Sequence, residues 1–192
     1  MNIGLFFGSF NPIHVGHLII AESALNESGL DRIWLVVSPH NPLKNKASLI
    51  REYDRFRMVE LALGDNPKIQ ASNFEFSLPR PSYTIDTLRK LGEVYPTYRF
   101  SLIMGEDNLD HLHKWKEYEA ILRQHPIWVY PRTGSDGSGI SRYPEIKRFE
   151  FPCLDISATR VRELIAEGKS VRYIVTDAAY EYILKNNLYA GG

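Results

Sequence analysis

The feature that most restricts how this chain can fold is an alternation of two hydrophobic periods. Short runs rich in β-branched and aromatic residues recur at 3–7, 33–38, 68–72, 99–104, 127–130 and 148–151. Between them lie segments 15–28, 52–63, 84–95 and 117–123, where apolar residues return every three or four positions. Strand-length runs divided by helix-length segments predict right-handed βαβ crossovers and a parallel sheet of the α/β class. Two further helical stretches, 157–167 and 177–186, follow the last run. The Gly- and Ser-rich stretch 133–142 is expected to be a flexible surface loop. At 192 residues the chain suits a single domain.

Composition then removes several function classes. Twenty-three basic residues face 23 acidic ones, so the chain lacks the general positive charge that holds nucleic-acid backbones. Any anionic ligand must be gripped by a local cluster. The lone Cys153 excludes an internal disulfide and a cysteine zinc cage. No apolar stretch approaches the roughly 20 residues that span a bilayer, and the run at 3–7 carries neither the basic region nor the cleavage site of a signal peptide. The expectation is a cytoplasmic protein whose partners are small molecules, with no nucleic acid and no membrane; the sequence leaves a homo-oligomer open.

In open α/β sheets ligands bind beyond the carboxyl ends of the strands. The first such place reads Gly8-Ser9-Phe10-Asn11-Pro12-Ile13-His14-Val15-Gly16-His17. Gly8 offers backbone freedom and close approach, Pro12 stiffens the turn, and Gly16 removes a side chain where the helix starts. His14 and His17, three apart, share one helix face. Two imidazoles beside free amides at a helix N-terminus suit a polyphosphate and can donate to oxygens that gain charge as a group leaves. The competing reading makes one histidine a cap and the other a packing group. Zinc would need a third ligand, which this window lacks. Late in the chain stands Asp155-Ile156-Ser157-Ala158-Thr159-Arg160-Val161-Arg162. Ser157 is placed to cap the next helix, while Thr159 and Arg162 add a hydroxyl and a forked cation suited to phosphate oxygens. A routine capped helix with solvated arginines is the alternative.

Taken together, GSFNPIHVGH and ISATRVR resemble the two signatures of the nucleotidyltransferase superfamily, (T/H)xGH after the first strand and ISxTxxR near the end. The segment Ser82-Tyr83-Thr84-Ile85-Asp86-Thr87-Leu88, and Gly105-Glu106-Asp107-Asn108 followed by Lys114-Trp115, are similar to segments of bacterial nicotinate-mononucleotide adenylyltransferases. The similarity runs in order from Asn2 to about Lys185. It implies a Rossmann-like, doubly wound parallel sheet with a C-terminal helical extension: residues 1–152 as sheet core with helices, 153–192 as phosphate-binding helix and C-terminal helix. It implies transfer of AMP from ATP to nicotinate mononucleotide, with Mg²⁺ accompanying the ATP. His14, His17 and Arg162 would be catalytic. Gly8, Ser9, Phe10, Gly16, Gly105, Asp107, Ser157 and Thr159 would bind ATP, and Lys44, Thr84 and Trp115 the acceptor. Nicotinamide mononucleotide and phosphopantetheine are the alternative acceptors, the cytidylyltransferase branch is a second rival, and a non-catalytic nucleotide sensor on the same fold is the reading from another class.

The residues argue for the nicotinate acceptor in their own terms. Thr84 opens a helix, so its hydroxyl and the next amides can receive a carboxylate, and Trp115 can stack on a pyridine ring. A plain cap and plain packing are the respective alternatives. Asp107, just beyond the run 99–104, could accept from ribose hydroxyls or cap the short helix after it. Two departures from the family pattern are visible: Leu43 precedes Lys44 where a histidine is usual, leaving the role of His40 open, and Asn11 stands in place of the commoner aspartate. Arg55 sits where the family often keeps an arginine and is read as either a phosphate ligand or solvated helix surface.

Overall fold

The computed structural model describes residues 1–39, 49–132, 138–150, 152 and 154–191. Its strands are β1 (Asn2–Gly8), β2 (Arg32–Val37), β3 (Ile69–Ser72), β4 (Arg99–Gly105), β5 (Ile127–Tyr130) and β6 (Lys147–Arg148). The helices are α1 (Val15–Ser28), α2 (Glu52–Leu63), α3 (Thr84–Val94), α4 (Tyr118–Gln124), the single turn α5 (Ser138–Ser141), α6 (Ala158–Ala166) and α7 (Asp177–Lys185). Two 3-10 stretches, Phe74–Ser77 and Glu106–Lys114, complete the elements.

All strand pairs are parallel, in the order β3-β2-β1-β4-β5-β6. This is the doubly wound α/β arrangement, with β1 central and the direction of winding reversing between β1 and β4. Helices cover both faces, so the inner strands β2, β1, β4 and β5 are largely apolar instead of alternating, whereas the edge strands β3 and β6 carry polar residues. Along β1 the pleat still sorts side chains. Ile3 and Leu5 join the core beneath α3, whereas Phe6 joins the core on the opposite face with Ile20, Ala21 and Ala24 of α1. Gly29, in the left-handed region at φ 69, ends α1, a conformation glycine adopts without a Cβ clash. Helix α7 is fastened to α2 where Tyr182 Oη donates to Asp54 Oδ1 at 2.9 Å.

Two expectations are corrected. The stretch 133–142 is not loop throughout: 138–141 form α5, because Ile140 packs into the core with Leu109 and Leu112 as neighbours in the same cluster. Residues 133–137 lie outside the described part. The short helix expected after the run 99–104 is the 3-10 stretch Glu106–Lys114, in which Leu109 and Leu112, three apart, are both fully buried. The last strand is shorter than the run 148–151, with β6 ending at Arg148 and residue 151 outside the described part. Among the described residues, no helix is long and apolar enough to cross a membrane.

Candidate active site

A cavity of about 710 Å³ opens where the winding reverses, beyond the carboxyl ends of β1 and β4. His14 and His17 line it from the corner after β1, and Ser157, Thr159 and Arg162 from the corner that opens α6. Thr84 and Trp115 line the same cavity. The two phosphate-type corners read from the sequence therefore face one space.

The histidines are held by each other. The His14 backbone N–H donates to His17 Nδ1 at 3.2 Å, and the His17 N–H donates to the His14 carbonyl at 2.9 Å. Their rings stack with centroids 3.7 Å apart. Because His17 Nδ1 accepts a main-chain N–H, its proton resides on Nε2, which makes that nitrogen a donor. The Phe10 ring meets His17 edge-on at 5.0 Å and Phe6 at 5.9 Å. Phe10 is thus a core side chain, 2% exposed, that props His17. Gly8 is explained differently from the expectation. It is not among the left-handed glycines; a Cβ there would lie 2.7 Å from the Phe10 ring. Its small size serves the prop. A Cβ on Gly16 would sit 3.1 Å from His14 Nδ1, so this glycine makes room for the His14 ring. Burial and then the Arg132 charge bring His14 down to about 4, and its buried Nδ1 has no hydrogen-bond partner among the described residues.

Ser157 is the N-cap of α6, its Oγ accepting from the Arg160 N–H at 3.2 Å. Arg162 donates from Nη2 to Thr159 Oγ1 at 3.2 Å and from Nη1 to the Asn11 carbonyl at 2.8 Å. That second bond joins the two corners directly across 151 residues of sequence. Arg55 corrects both readings offered for it, since it is neither a phosphate ligand nor solvated. It is 0% exposed, and its guanidinium donates to the carbonyls of Ser9, Ser38, Pro39 and Ile50 at 2.6, 2.8, 3.0 and 3.2 Å. A buried cation shared among four carbonyls fixes the loops after β1 and β2 relative to each other. Burial holds its pKa below the ordinary arginine value.

At the other end Thr84 is the first helical residue of α3, and Tyr83 occupies the cap position. Thr84 is therefore not the cap itself. Beside it, Glu75 is 3% exposed and accepts from Thr87 Oγ1 at 2.7 Å and Ser82 Oγ at 3.2 Å. Burial pushes its carboxyl up, against hydrogen bonds from Thr87, Ser38 and Ser82. Trp115, half-buried, packs on the core beneath α3. The turn after it is tied to α3 by ion pairs Lys116–Asp86 and Arg89–Glu117, and Lys116 Nζ lies 5.2 Å over the Tyr83 ring. Asp107, exposed, accepts from Asn108 Nδ2 at 3.3 Å and faces Arg132 at 3.8 Å. Gly105 has no space for a Cβ, which would lie 2.9 Å from Arg132 Cδ and 3.3 Å from Tyr130 Cζ. Ser9 also lines the cavity. Lys44 and His40 lie outside the described residues.

Sequence reasoning missed Arg132, Glu75 and Tyr189. Arg132 follows β5 at the carboxyl edge, so the positional rule could have found it. Glu75 sits in a four-residue 3-10 turn, too short for a pattern. Among the described residues, no group of three or more His, Cys, Asp or Glu gathers to hold a metal ion.

The family model described as cytidylyltransferase-like matches residues 5–164. A protein of Cytophaga hutchinsonii named probable nicotinate-nucleotide adenylyltransferase is 50% identical over 190 residues, covering 99% of each chain. One of the same name from Flavobacterium johnsoniae is 50% identical over 191 residues, covering 98% of this chain and 99% of its own. The solved nicotinic acid mononucleotide adenylyltransferase of Plasmodium falciparum, complexed with APC, superposes with a TM-score of 0.81 at 24% identity, covering 98% of this chain and 96% of that one; it shares the fold. With nearly full-length relatives at this identity, the chain belongs to the nicotinate-nucleotide adenylyltransferase family, within the cytidylyltransferase-like group.

Proposed function

We propose that this chain transfers AMP from ATP to nicotinate mononucleotide, forming nicotinate adenine dinucleotide and pyrophosphate, a step of NAD biosynthesis. The observation that carries this reading is the convergence of four groups of side chains on one cavity: the histidine pair, the Ser157–Thr159–Arg162 cluster, Thr84 and Trp115. The first two suit a triphosphate and the last two an aromatic carboxylate.

The acceptor phosphate is already an anion, so it attacks the α-phosphorus without a general base. The new P–O bond forms as the bond to the bridging oxygen breaks, and pyrophosphate carries the electron pair away. Catalysis consists of alignment and of neutralising the charge that builds on the leaving group. His17 Nε2–H is the donor for that charge, fixed in tautomer by the His14 main chain. His14, held neutral by burial, supports the ring of His17 from below. Arg162 and the hydroxyls of Ser157 and Thr159 hold the outer phosphates. Asp107 receives ribose hydroxyls, and Ser9 and Gly105 line the nucleotide at main-chain level.

Mg²⁺ accompanying the triphosphate would supply further charge neutralisation on the phosphate oxygens. The amides opening α3 and the Thr84 hydroxyl receive the pyridine carboxylate, with Trp115 stacked on the ring.

Steady-state pyrophosphate release, measured with ATP and in turn nicotinate mononucleotide, nicotinamide mononucleotide and phosphopantetheine, tests the assignment. The expected kcat/KM favours nicotinate by about tenfold or more, the scale of one charge-assisted contact. Faster reaction with either other acceptor contradicts it.

A further inference from the structure

The segment after α7 turns back towards the first loop. Asn187 and Tyr189 both adopt left-handed backbone angles, φ 49 and φ 62, which side chains other than glycine tolerate only when their surroundings fix them. The turn delivers the Tyr189 hydroxyl to Asn11, where it donates to Oδ1 at 2.8 Å across 178 residues of sequence. Asn11 is 4% exposed and lines the cavity. The Ile50 N–H also reaches Asn11 Oδ1, at 3.5 Å. Since the Ile50 N–H can only donate, it orients the amide with its oxygen towards these two groups. The Asn11 main-chain carbonyl, meanwhile, accepts from Arg162 Nη1 at 2.8 Å. One residue of the first loop is thus gripped from its side chain by Tyr189 and from its backbone by Arg162. Tyr189 lies within the electrostatic reach of both Arg55 and Arg162, the two guanidiniums that tie the loops together.

We infer that Tyr189 is a positioning residue for ATP: its hydroxyl fixes Asn11 and, through the Asn11 carbonyl, the guanidinium of Arg162 against the triphosphate. The inference rests on the reading above that the first loop and Arg162 hold the phosphates. It departs from a purely structural role because a second tyrosine supplies an internal control. Tyr182 makes a hydroxyl bond to the Asp54 carboxylate of α2, and neither of these residues lines the cavity.

The test compares Tyr189→Phe with Tyr182→Phe. Each removes one oxygen and keeps the ring. Tyr189→Phe is expected to raise the ATP KM about fivefold, the size of one hydrogen bond, while the nicotinate mononucleotide KM stays within about twofold. Tyr182→Phe is expected to leave the ATP KM unchanged. Asn11→Ala should show the same ATP-selective rise, and adding Tyr189→Phe to it should cost nothing more. A wild-type ATP KM in Tyr189→Phe, an equal rise in Tyr182→Phe, or multiplying effects in the double variant overturns the inference. Equilibrium dialysis with Mg-ATP alone separates this from the wider reading. An unchanged ATP dissociation constant in Tyr189→Phe, in a protein that releases pyrophosphate normally, removes Tyr189 only; a wild-type protein that binds ATP but never releases pyrophosphate with nicotinate mononucleotide removes the proposed reaction instead.

Discussion

At the end of the cavity proposed for the triphosphate, the parts are joined by buried and part-buried contacts: Arg162 to the Asn11 carbonyl, Arg55 to four carbonyls, and His14 stacked on His17. At the acceptor end, α3 and the turn after Trp115 meet through ion pairs whose side chains are 42–50% exposed. Buried charge-assisted bonds keep their geometry through low dielectric and lack of competing water. Exposed pairs contribute roughly 0–1 kcal/mol and weaken with salt. On the proposed reading, the end that would handle accumulating charge is joined by buried and part-buried bonds, whereas the turn after Trp115, at the proposed acceptor end, is tied to α3 by exposed ion pairs although α3 itself sits on the core. Preorganisation is concentrated where developing charge needs it.

The largest expected effect comes from breaking the proposed triphosphate end. His17→Ala is expected to lower kcat by about a hundredfold or more, the scale for losing one transition-state donor, measurable by pyrophosphate release at saturating substrates. Near-normal turnover would remove His17 from the chemistry.

Next in size is a consequence of burying His14. The unfolded imidazole takes a proton below about 6.5, whereas the folded one resists until about 4. The stability tied to this group is therefore complete above 6.5 and drains away as pH falls through that window. Between pH 7.5 and pH 5 the loss is about 2 kcal/mol. Urea unfolding at the two pH values should reveal it, and His14→Asn, which has no proton to take, should lose correspondingly less. Equal losses in both proteins would show that His14 titrates freely.

The smallest effect belongs to the proposed acceptor end. Lys116→Met is expected to raise the acceptor KM by about two- to threefold at low salt, with the gap closing near 1 M salt as the wild-type pair is screened. A gap that survives salt would mean that Lys116 touches the acceptor itself.

The sequence made some of this legible and hid the rest for physical reasons. Strands β1, β2, β4 and β5 could be read because burial on both faces leaves largely apolar runs. The histidines and the Ser157–Thr159–Arg162 cluster could be read because each stands where a strand runs into a helix N-terminus. Arg55 could not, since an arginine in a charged helical segment looks the same whether its partners are water or main-chain carbonyls, and carbonyls leave no mark in the sequence. Gly8 was legible as a constraint, but not the part of it set by Phe10, whose ring two residues on leaves no room for a Cβ. Tyr189 was invisible for a similar reason: its partner, Asn11, lies 178 residues away.

The division between the two ends is tested most directly by two-substrate kinetics on Arg162→Lys and Trp115→Ala side by side. The expected result is a crossed pattern: the Arg162 variant raises the ATP KM about tenfold and leaves the nicotinate mononucleotide KM within about twofold, and the Trp115 variant does the reverse. Both constants rising together in each variant, or each residue governing the other substrate, would contradict the account.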